Sequence, residues 1–279
     1  MTNKTVIVLC AIILGCLALP TPEEDMSIFF ENVDRNARIV GGSEAADGAH
    51  PHMAALTSGV FFRSFSCGGS IIRPSMVATA AHCIVAHFSG GSLSSSLMVN
   101  IGSNNWNGGQ AVRVIGNATH AEYNSQTIKH DIGLLYTETI TFSEIIKPIA
   151  ISYEYVDGAV SVKAAGWGRV STNGAIPARL RELTVSTLGA QQCQDEMARS
   201  AAQLGFRPPP LDMDIELCTM HENGAGFGMC RGDSGSALYR VDTGEQVGLV
   251  SWGLPCARGA PDMFVRLSAY QEWVEERLR

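Results

Sequence analysis

The sequence predicts an all-β fold, either a sandwich or a barrel. Short apolar segments recur along the chain, clusters of Gly, Asn, Ser and Pro separate them, and only two stretches have helical character. With 46% apolar residues among 279, the chain can bury a sizeable core. The apolar segments that we predict as strands include residues 71–72, 97–101, 111–115, 132–136, 160–165, 247–252 and 263–267.

Two segments are predicted helices. Residues 191–204 are followed by Gly205 and then three prolines, which end a helix. Residues 268–278 form an amphipathic C-terminal helix, for which Ser268 is a candidate N-cap and which we take as a packing element. The residues that share one face of this helix are Tyr270, Trp273, Val274 and Arg277.

The N-terminal sequence predicts two segments that are removed from the mature protein, a signal peptide and a leader. Residues 1–18 have the features of a secretory signal peptide: Lys4, an apolar run and a small-residue cleavage site after Ala18. A membrane anchor is the alternative, but the run is shorter than the roughly 20 residues that a spanning helix needs. Residues 19–38 are acidic and proline-bearing at the start and end in Arg38, as expected of a detachable leader. We therefore expect a secreted, extracellular protein without membrane association.

The cysteines fit an oxidising compartment. Two of the eight lie in the signal segment, and six remain, which suggests three disulfides with 15 possible pairings. Zinc is the competing interpretation of Cys218-x-x-His221 and of Cys83 beside His82, but neither is a paired CxxC arrangement. The net charge of −7 and the lack of a basic run argue against nucleic acid as a partner. Asn117-Ala118-Thr119 is a possible glycosylation site.

The segment 228–236 has the features of a nucleophile loop. Ser234 lies between glycines, where the backbone can turn tightly and present N–H groups to a developing oxyanion. His82 lies among small residues beside a cysteine, and Asp131 precedes an apolar segment that reads as a buried strand. The order His, Asp, Ser excludes an α/β-hydrolase, which has the order Ser, Asp, His and a G-x-S-x-G motif, whereas Ser236 stands at the last glycine here.

Several segments together resemble the landmarks of the trypsin/chymotrypsin family of serine proteases. They are Ile39-Val40-Gly41-Gly42 and residues 79–83, 131–135, 166–168, 232–235 and 251–253, in the family's order from Ile39 onward. The resemblance implies a fold of two packed six-stranded antiparallel β-barrels with a C-terminal helix, formed by residues 39–279. It also implies a serine endopeptidase that needs no cofactor or metal.

The resemblance assigns roles to residues. His82, Asp131 and Ser234 would form the catalytic triad, and the N–H groups of Gly232 and Ser234 the oxyanion hole. Asp233 would pair with the α-amino group of Ile39, which cleavage after Arg38 by an activating protease would release, so the uncut chain would be a zymogen. The implied disulfides are Cys67–Cys83, Cys193–Cys218 and Cys230–Cys256.

Substrate preference follows from the same resemblance. Gly228 stands where trypsin-like members carry aspartate at the base of the specificity pocket, Gly253 leaves the mouth open, and Asp262 is on the far wall. This combination is similar to that of collagenolytic proteases of crustaceans and of some insect digestive proteases, and it indicates chymotrypsin-like or broad specificity. The alternative is that Asp262 points to solvent or to a backbone amide. Arg231 is at the pocket rim, and residues 102–110 lack the glutamates of a calcium loop.

We expect a digestive enzyme acting on protein or peptide substrates as a monomer, which protein inhibitors could block. One alternative is a catalytically inactive homologue that acts as a protein-binding module. Another is a protease of a regulatory cascade. The retention of His82, Asp131 and Ser234 favours an enzyme over the inactive homologue, and the open pocket favours digestion over signalling.

Overall fold

The computed structural model describes residues 40–169, 171, 174–254 and 256–279. The predicted signal peptide, the predicted leader with Arg38, and Ile39 lie outside the described residues. The strands are β1 (Ser43–Glu44), β2 (Met53–Ser58), β3 (Ser64–Arg73), β4 (Met76–Thr79), β5 (Phe88–Ser89), β6 (Ser92–Leu93), β7 (Met98–Ile101), β8 (Gln110–Thr119), β9 (Gly133–Thr137), β10 (Ser161–Gly166), β11 (Arg181–Leu188), β12 (Glu216–Met220), β13 (Ala237–Arg240), β14 (Gln246–Gly253) and β15 (Asp262–Arg266). The helices are α1 (Ala81–Val85), α2 (Ala190–Leu204), a 3₁₀ turn (Leu267–Tyr270) and α3 (Gln271–Arg277).

The first half of the chain forms a closed barrel in the order β2-β3-β4-β9-β8-β7, and every pairing is antiparallel. Alternate residues of a strand point to opposite faces, so each strand sends one set of side chains into the barrel. The interior contains fully buried aliphatic residues from several strands. They include Leu56, Ile71, Val77, Val99 and Leu135.

The second half forms a second antiparallel barrel. Its ring is β11-β10-β13-β14-β15-β12, which the pairing of β12 with β11 closes, and β1 is added at the outer side of β11. The interior is again apolar, and it includes Val162, Leu183, Leu217, Leu238 and Phe264. The predicted fold of two six-stranded antiparallel barrels is therefore confirmed.

The C-terminal helix packs where the two barrels meet. Tyr270 and Val274 are buried in one cluster with Met76 of the first barrel and with Leu249 and Val265 of the second. Ser268 does not cap this helix: the chain first makes the 3₁₀ turn, and α3 begins after Tyr270. Among the described residues, no helix is long and apolar enough to span a membrane.

Contacts between the barrels also fix the region around Ser234. The N–H of Gly68 on β3 donates to the carbonyl oxygen of Ser234 at 2.8 Å, and Ser70 Oγ donates to Gln246 Oε1 at 2.8 Å. Ser70 and Gln246 are both fully buried. β3 of the first barrel is thus hydrogen-bonded to the second barrel both at Ser234 and at Gln246.

Candidate active site

His82 and Asp131 form a close pair at one end of the first barrel. His82 is on the short helix α1 directly after β4, and Asp131 immediately precedes Ile132 and β9. Asp131 Oδ2 lies 2.8 Å from His82 Nδ1, and Asp131 Oδ1 accepts the backbone N–H of His82 at 2.8 Å. Ser251 Oγ donates to Asp131 Oδ2 at 2.6 Å. The carboxylate, only 2% exposed, therefore holds the imidazole through Nδ1 and leaves Nε2 for another partner.

The backbone around Asp131 is fixed independently of its side chain. The carbonyl oxygen of Asp131 accepts the N–H of Ala81, and the N–H of Ile132 donates to the carbonyl oxygen of His130 at 2.8 Å. His130 has a φ of 53°, in the left-handed region that few non-glycine residues occupy. The turn His130–Ile132 thus aims the Asp131 carboxylate at α1.

Ser234 belongs to the second barrel, in the loop before β13. Gly232 and Gly235 have φ values of 97° and 77°, which glycine adopts without strain. The N–H of Gly235 donates to the carbonyl oxygen of Val250 at 2.8 Å, which ties the loop to β14. Ser234, Gly232 and His82 line one cavity of about 290 Å³ between the barrels. The structure therefore brings the base candidate and the loop-held serine to one cavity, with Asp131 behind the histidine.

Three disulfides brace this region and the second barrel. They are Cys67–Cys83, Cys193–Cys218 and Cys230–Cys256. The first is adjacent to His82, and the third holds the loop of Ser234. Since the sulfurs of Cys83 and Cys218 are both in disulfide bonds, neither is available as a thiolate for the zinc alternative.

The Asp262 carboxylate lines the same cavity and lies between two glycines. A Cβ atom on Gly228 would come within 2.5 Å of Asp262 Oδ2, and one on Gly253 within 3.0 Å of Oδ1. Asp262 Oδ2 accepts the N–H of Met229 at 2.8 Å, and the residue is 7% exposed. Burial raises the pKa of the Asp262 carboxyl to about 8, although the Met229 hydrogen bond opposes this rise. Asp262 therefore does not point to solvent; it lines the cavity and also binds a backbone amide.

Asp233 is a second buried carboxylate, in the loop that carries Ser234. It is 1% exposed and accepts the N–H groups of Gly168 at 2.8 Å and Cys230 at 2.9 Å. Burial raises the pKa of the Asp233 carboxyl to about 7. Val40 is buried nearby, and its N–H and carbonyl oxygen pair with the carbonyl oxygen and N–H of Gly228 at 3.2 Å. The chain directly after Ile39 is therefore docked against the loop that carries Asp233.

The sequence reasoning missed a buried charge pair behind the cavity wall. Trp252, which lines the cavity, donates its indole N–H to Glu216 Oε1 at 2.7 Å. Lys129 Nζ lies 2.7 Å from the same oxygen, and the two charged side chains are 13% and 6% exposed. Burial nevertheless raises the pKa of Glu216, because desolvation outweighs the attraction of Lys129. Glu216 thus fixes, through this hydrogen bond, the position of the Trp252 indole that lines the cavity.

Glu216→Gln is expected to lower the free energy of unfolding by about 3 kcal/mol, because it leaves the Lys129 ammonium without a charged partner inside the protein. Urea unfolding measures this loss. The matched control is the double variant Lys129→Met/Glu216→Gln, which removes both charges. It should recover more than half of the free energy of unfolding that Glu216→Gln loses. A loss below about 1 kcal/mol in the single variant would contradict the assignment of a buried ion pair.

Asn117, Arg231 and the segment 102–110 are the remaining predicted positions. Asn117 is half-buried in β8, opposite Leu135 of β9. Arg231 lines the cavity that contains Ser234, and its carbonyl oxygen accepts the N–H of Arg169. Of residues 102–110, residues 102–109 connect β7 to β8, and Gln110 is the first residue of β8.

Comparison with known proteins gives a consistent match. A family model described as Trypsin matches residues 39–274. Chymotrypsin-2 of Vespa crabro is 33% identical over 241 residues, which cover 85% of this chain and 99% of that protein. Trypsin alpha-4 of Lucilia cuprina is 33% identical over 276 residues, covering 97% and 96%. Trypsin alpha of Drosophila erecta is 33% identical over 245 residues, covering 86% and 87%.

Proposed function

The chain belongs to the trypsin family and is a serine endopeptidase, and on that basis we propose that it is a secreted digestive protease, made as a zymogen, with His82, Asp131 and Ser234 as its triad. The observation that carries the proposal is the 2.8 Å pair of His82 and Asp131 at the cavity that Ser234 lines. Its substrates are proteins or peptides. The alternative of an inactive homologue has no support in the site or in the matched family.

The proposed chemistry divides the reaction among these residues. Ser234 Oγ attacks the scissile carbonyl carbon while His82 Nε2 takes the hydroxyl proton, and His82 then gives that proton to the leaving amine as the C–N bond breaks. Asp131 holds the Nδ1–H tautomer and stabilises the imidazolium. The N–H groups of Gly232 and Ser234 bind the oxyanion, at about 3 kcal/mol per donor. Water then releases the acyl group by the same steps.

The proposed activation step uses Asp233. Residues 1–18 are a signal peptide and residues 19–38 an activation propeptide, and cleavage after Arg38 by another protease frees the α-amino group of Ile39. Asp233 is buried with two backbone donors, and no side-chain cation among the described residues pairs with its carboxylate. The docked position of Val40 against Gly228 supports the delivery of the new ammonium group to this carboxylate.

Arg38→Gln is expected to yield a folded protein without measurable peptidase activity, because the α-amino group of Ile39 then never forms. Hydrolysis of a chromogenic peptide after treatment with an Arg-specific protease measures this, and circular dichroism checks the fold. Arg38→Lys is the matched control, since a Lys-cleaving protease can still activate it. Full activity of the Arg38→Gln variant would contradict the zymogen proposal.

Specificity is proposed to depend on Asp262. With glycine at 228 and 253, the pocket admits large apolar side chains, and the ionised Asp262 carboxylate also attracts a basic one. Because the pKa of Asp262 is about 8, the carboxyl is neutral below that pH and charged above it. Cleavage after Arg or Lys relative to Phe or Leu should therefore increase as the pH rises through about 8.

Asp262→Asn is expected to lower kcat/KM for Arg and Lys substrates by about 10- to 150-fold at pH 9, since a hydrogen bond to a charged group contributes about 1.5–3 kcal/mol. The amide oxygen can still accept the Met229 N–H, so the loop should keep its shape. Asp262→Gly removes the whole side chain and should show the same loss of kcat/KM for Arg and Lys substrates. Phe and Leu substrates are the internal control. Unchanged Arg and Lys cleavage in both variants would show that Asp262 does not contact the substrate.

A further inference from the structure

Two histidines and a glutamate lie close together at the surface beside the turn of Asp131. One possible ligand atom from each of His120, Glu122 and His130 lies within 4.8 Å of the other two. The imidazole rings are stacked, with centroids 4.9 Å apart and planes inclined by 12°. Both histidines are half-buried, and the Glu122 side chain is 72% exposed. None of the three has a role in the proposed catalytic mechanism.

The His130 ring is oriented as a metal ligand would be. Its Nδ1 atom lies 3.2 Å from the hydroxyl oxygen of Tyr270, which is 3% exposed and therefore fixed in the core. Its Nε2 atom lies 3.8 Å from Glu122 Oε2. Metal-bound histidines commonly donate their second ring N–H to a hydrogen-bond acceptor. When Nδ1 donates to Tyr270, the Nε2 lone pair is presented on the side of Glu122.

The His120 ring is held in place beside the other two proposed ligands. A metal binds a neutral imidazole through a ring nitrogen that carries no proton. The His120 ring is half-buried and packs edge-on against Tyr270, with ring centroids 5.3 Å apart and planes inclined by 80°. Its Nδ1 accepts the N–H of Glu122 at 3.3 Å, which is a long contact. Binding through Nε2 places a proton on Nδ1 and gives up that contact.

We propose that His120, Glu122 and His130 bind one zinc ion, and that the bound ion acts on the turn that carries Asp131. Two imidazoles, one carboxylate and a water molecule form a common four-coordinate zinc sphere. With zinc–ligand bonds of about 2.0–2.1 Å, the ligand atoms must approach to about 3.4 Å from each other. Rotation of the exposed Glu122 side chain and of the His120 ring supplies part of this movement, and a shift of the His130 ring supplies the rest. Glu122 contributes negative charge, and Arg277 opposes binding.

The proposed zinc site is coupled to the active site through the backbone, because one of its ligands is the residue next to Asp131. His130 directly precedes Asp131, and its carbonyl oxygen accepts the N–H of Ile132 across that residue at 2.8 Å. Movement of the His130 ring toward zinc displaces this turn and the Asp131 carboxylate, which lies 2.8 Å from His82 Nδ1. Zinc should therefore slow peptide hydrolysis. The effect of zinc on hydrolysis rests on the proposed function, whereas the zinc-binding site itself does not.

Calorimetric titration of the Arg38-cleaved protein with zinc chloride tests the site directly. To keep zinc away from His82, the protein is first treated with a serine-reactive phosphonate, which fills the cleft. We expect one site in the wild type and an affinity at least about tenfold lower in His120→Asn/Glu122→Gln. His130→Asn should show the same loss, and asparagine tolerates the left-handed backbone there. Equal affinity in wild type and variants, or no binding, would overturn the site.

The control and the activity measurement separate the two parts of the proposal. His221→Asn changes a histidine that stacks on Phe227 outside the cluster, and it should leave zinc affinity unchanged. In untreated enzyme, zinc should lower kcat/KM more in the wild type than in His120→Asn/Glu122→Gln. Equal inhibition of both would overturn the coupling to Asp131. If the protein hydrolysed no peptide and did not react with the phosphonate, the same titration in a His82→Ala background would still decide the site, and the failure would belong to the proposed function.

Discussion

Ser234→Ala is expected to lower kcat about 10⁶-fold, because the substrate carbonyl then has no nucleophile except water. Ser234 lines the cavity between the barrels with His82, and its carbonyl oxygen is held by the N–H of Gly68. Since alanine keeps that backbone contact, the variant should fold normally. The N–H groups of Gly232 and residue 234 remain, so a small rate above that of the uncatalysed reaction should persist. Hydrolysis of a peptide substrate by activated protein measures the loss.

The matched control for this prediction lies two residues away. Ser236→Ala removes a hydroxyl from the same loop, but the Ser236 side chain is fully buried and does not line the cavity. Its activity should stay within a few-fold of the wild type. Comparable losses in both variants would show that the loop fold, rather than the Ser234 hydroxyl, determines the rate.

Asp131→Asn is expected to lower kcat about 10⁴-fold. Three donors converge on the carboxylate: the backbone N–H of His82, the Nδ1–H of His82 and the hydroxyl of Ser251. An asparagine offers only one oxygen, so its NH₂ group must face one of these donors. When it faces Nδ1, the ring takes the other tautomer, with the proton on Nε2, and His82 cannot accept the proton of Ser234.

The kinetic signature distinguishes this mechanism from general destabilisation. The loss should appear in kcat at neutral pH, while the circular dichroism spectrum remains that of the wild type. Ser251→Ala is the graded control, because it removes one of the three donors and leaves the tautomer intact, so its loss should be much smaller. A loss of less than tenfold in Asp131→Asn would contradict the role assigned to the carboxylate.

Much of the fold could be predicted because several strands are apolar runs between turn residues. The runs at 97–101, 132–136 and 263–267 fall on β7, β9 and β15. β2 was missed because Met53–Ser58 is buried on both faces and contains two alanines, so it shows neither alternation nor a strongly β-branched run. β13 was missed because only its first two residues, Ala237 and Leu238, are buried, and Arg240 ends the apolar run. The division into two barrels followed from the family resemblance rather than from these patterns.

The site was predictable to the extent that its residues belong to short local motifs. His82, Asp131 and Ser234 each stand in such a motif, and the structure brings His82 close to Asp131 and to the cavity of Ser234. The contacts of Glu216 with Trp252 and Lys129 could not be predicted, since Trp252 and Lys129 lie 36 and 87 residues from Glu216 along the chain and no single motif contains all three residues. Such pairings become visible only when the barrels close.

The most direct test of the central claim is labelling of the Arg38-cleaved protein with a serine-reactive organophosphonate, followed by peptide mapping. We predict one adduct per molecule, at Ser234, and a labelling rate that falls strongly in His82→Ala because the base is gone. The uncleaved protein should label far more slowly. An absence of labelling in the cleaved wild type, or an adduct at a serine other than Ser234, would contradict the assignment of this chain as an active serine endopeptidase with Ser234 as its nucleophile.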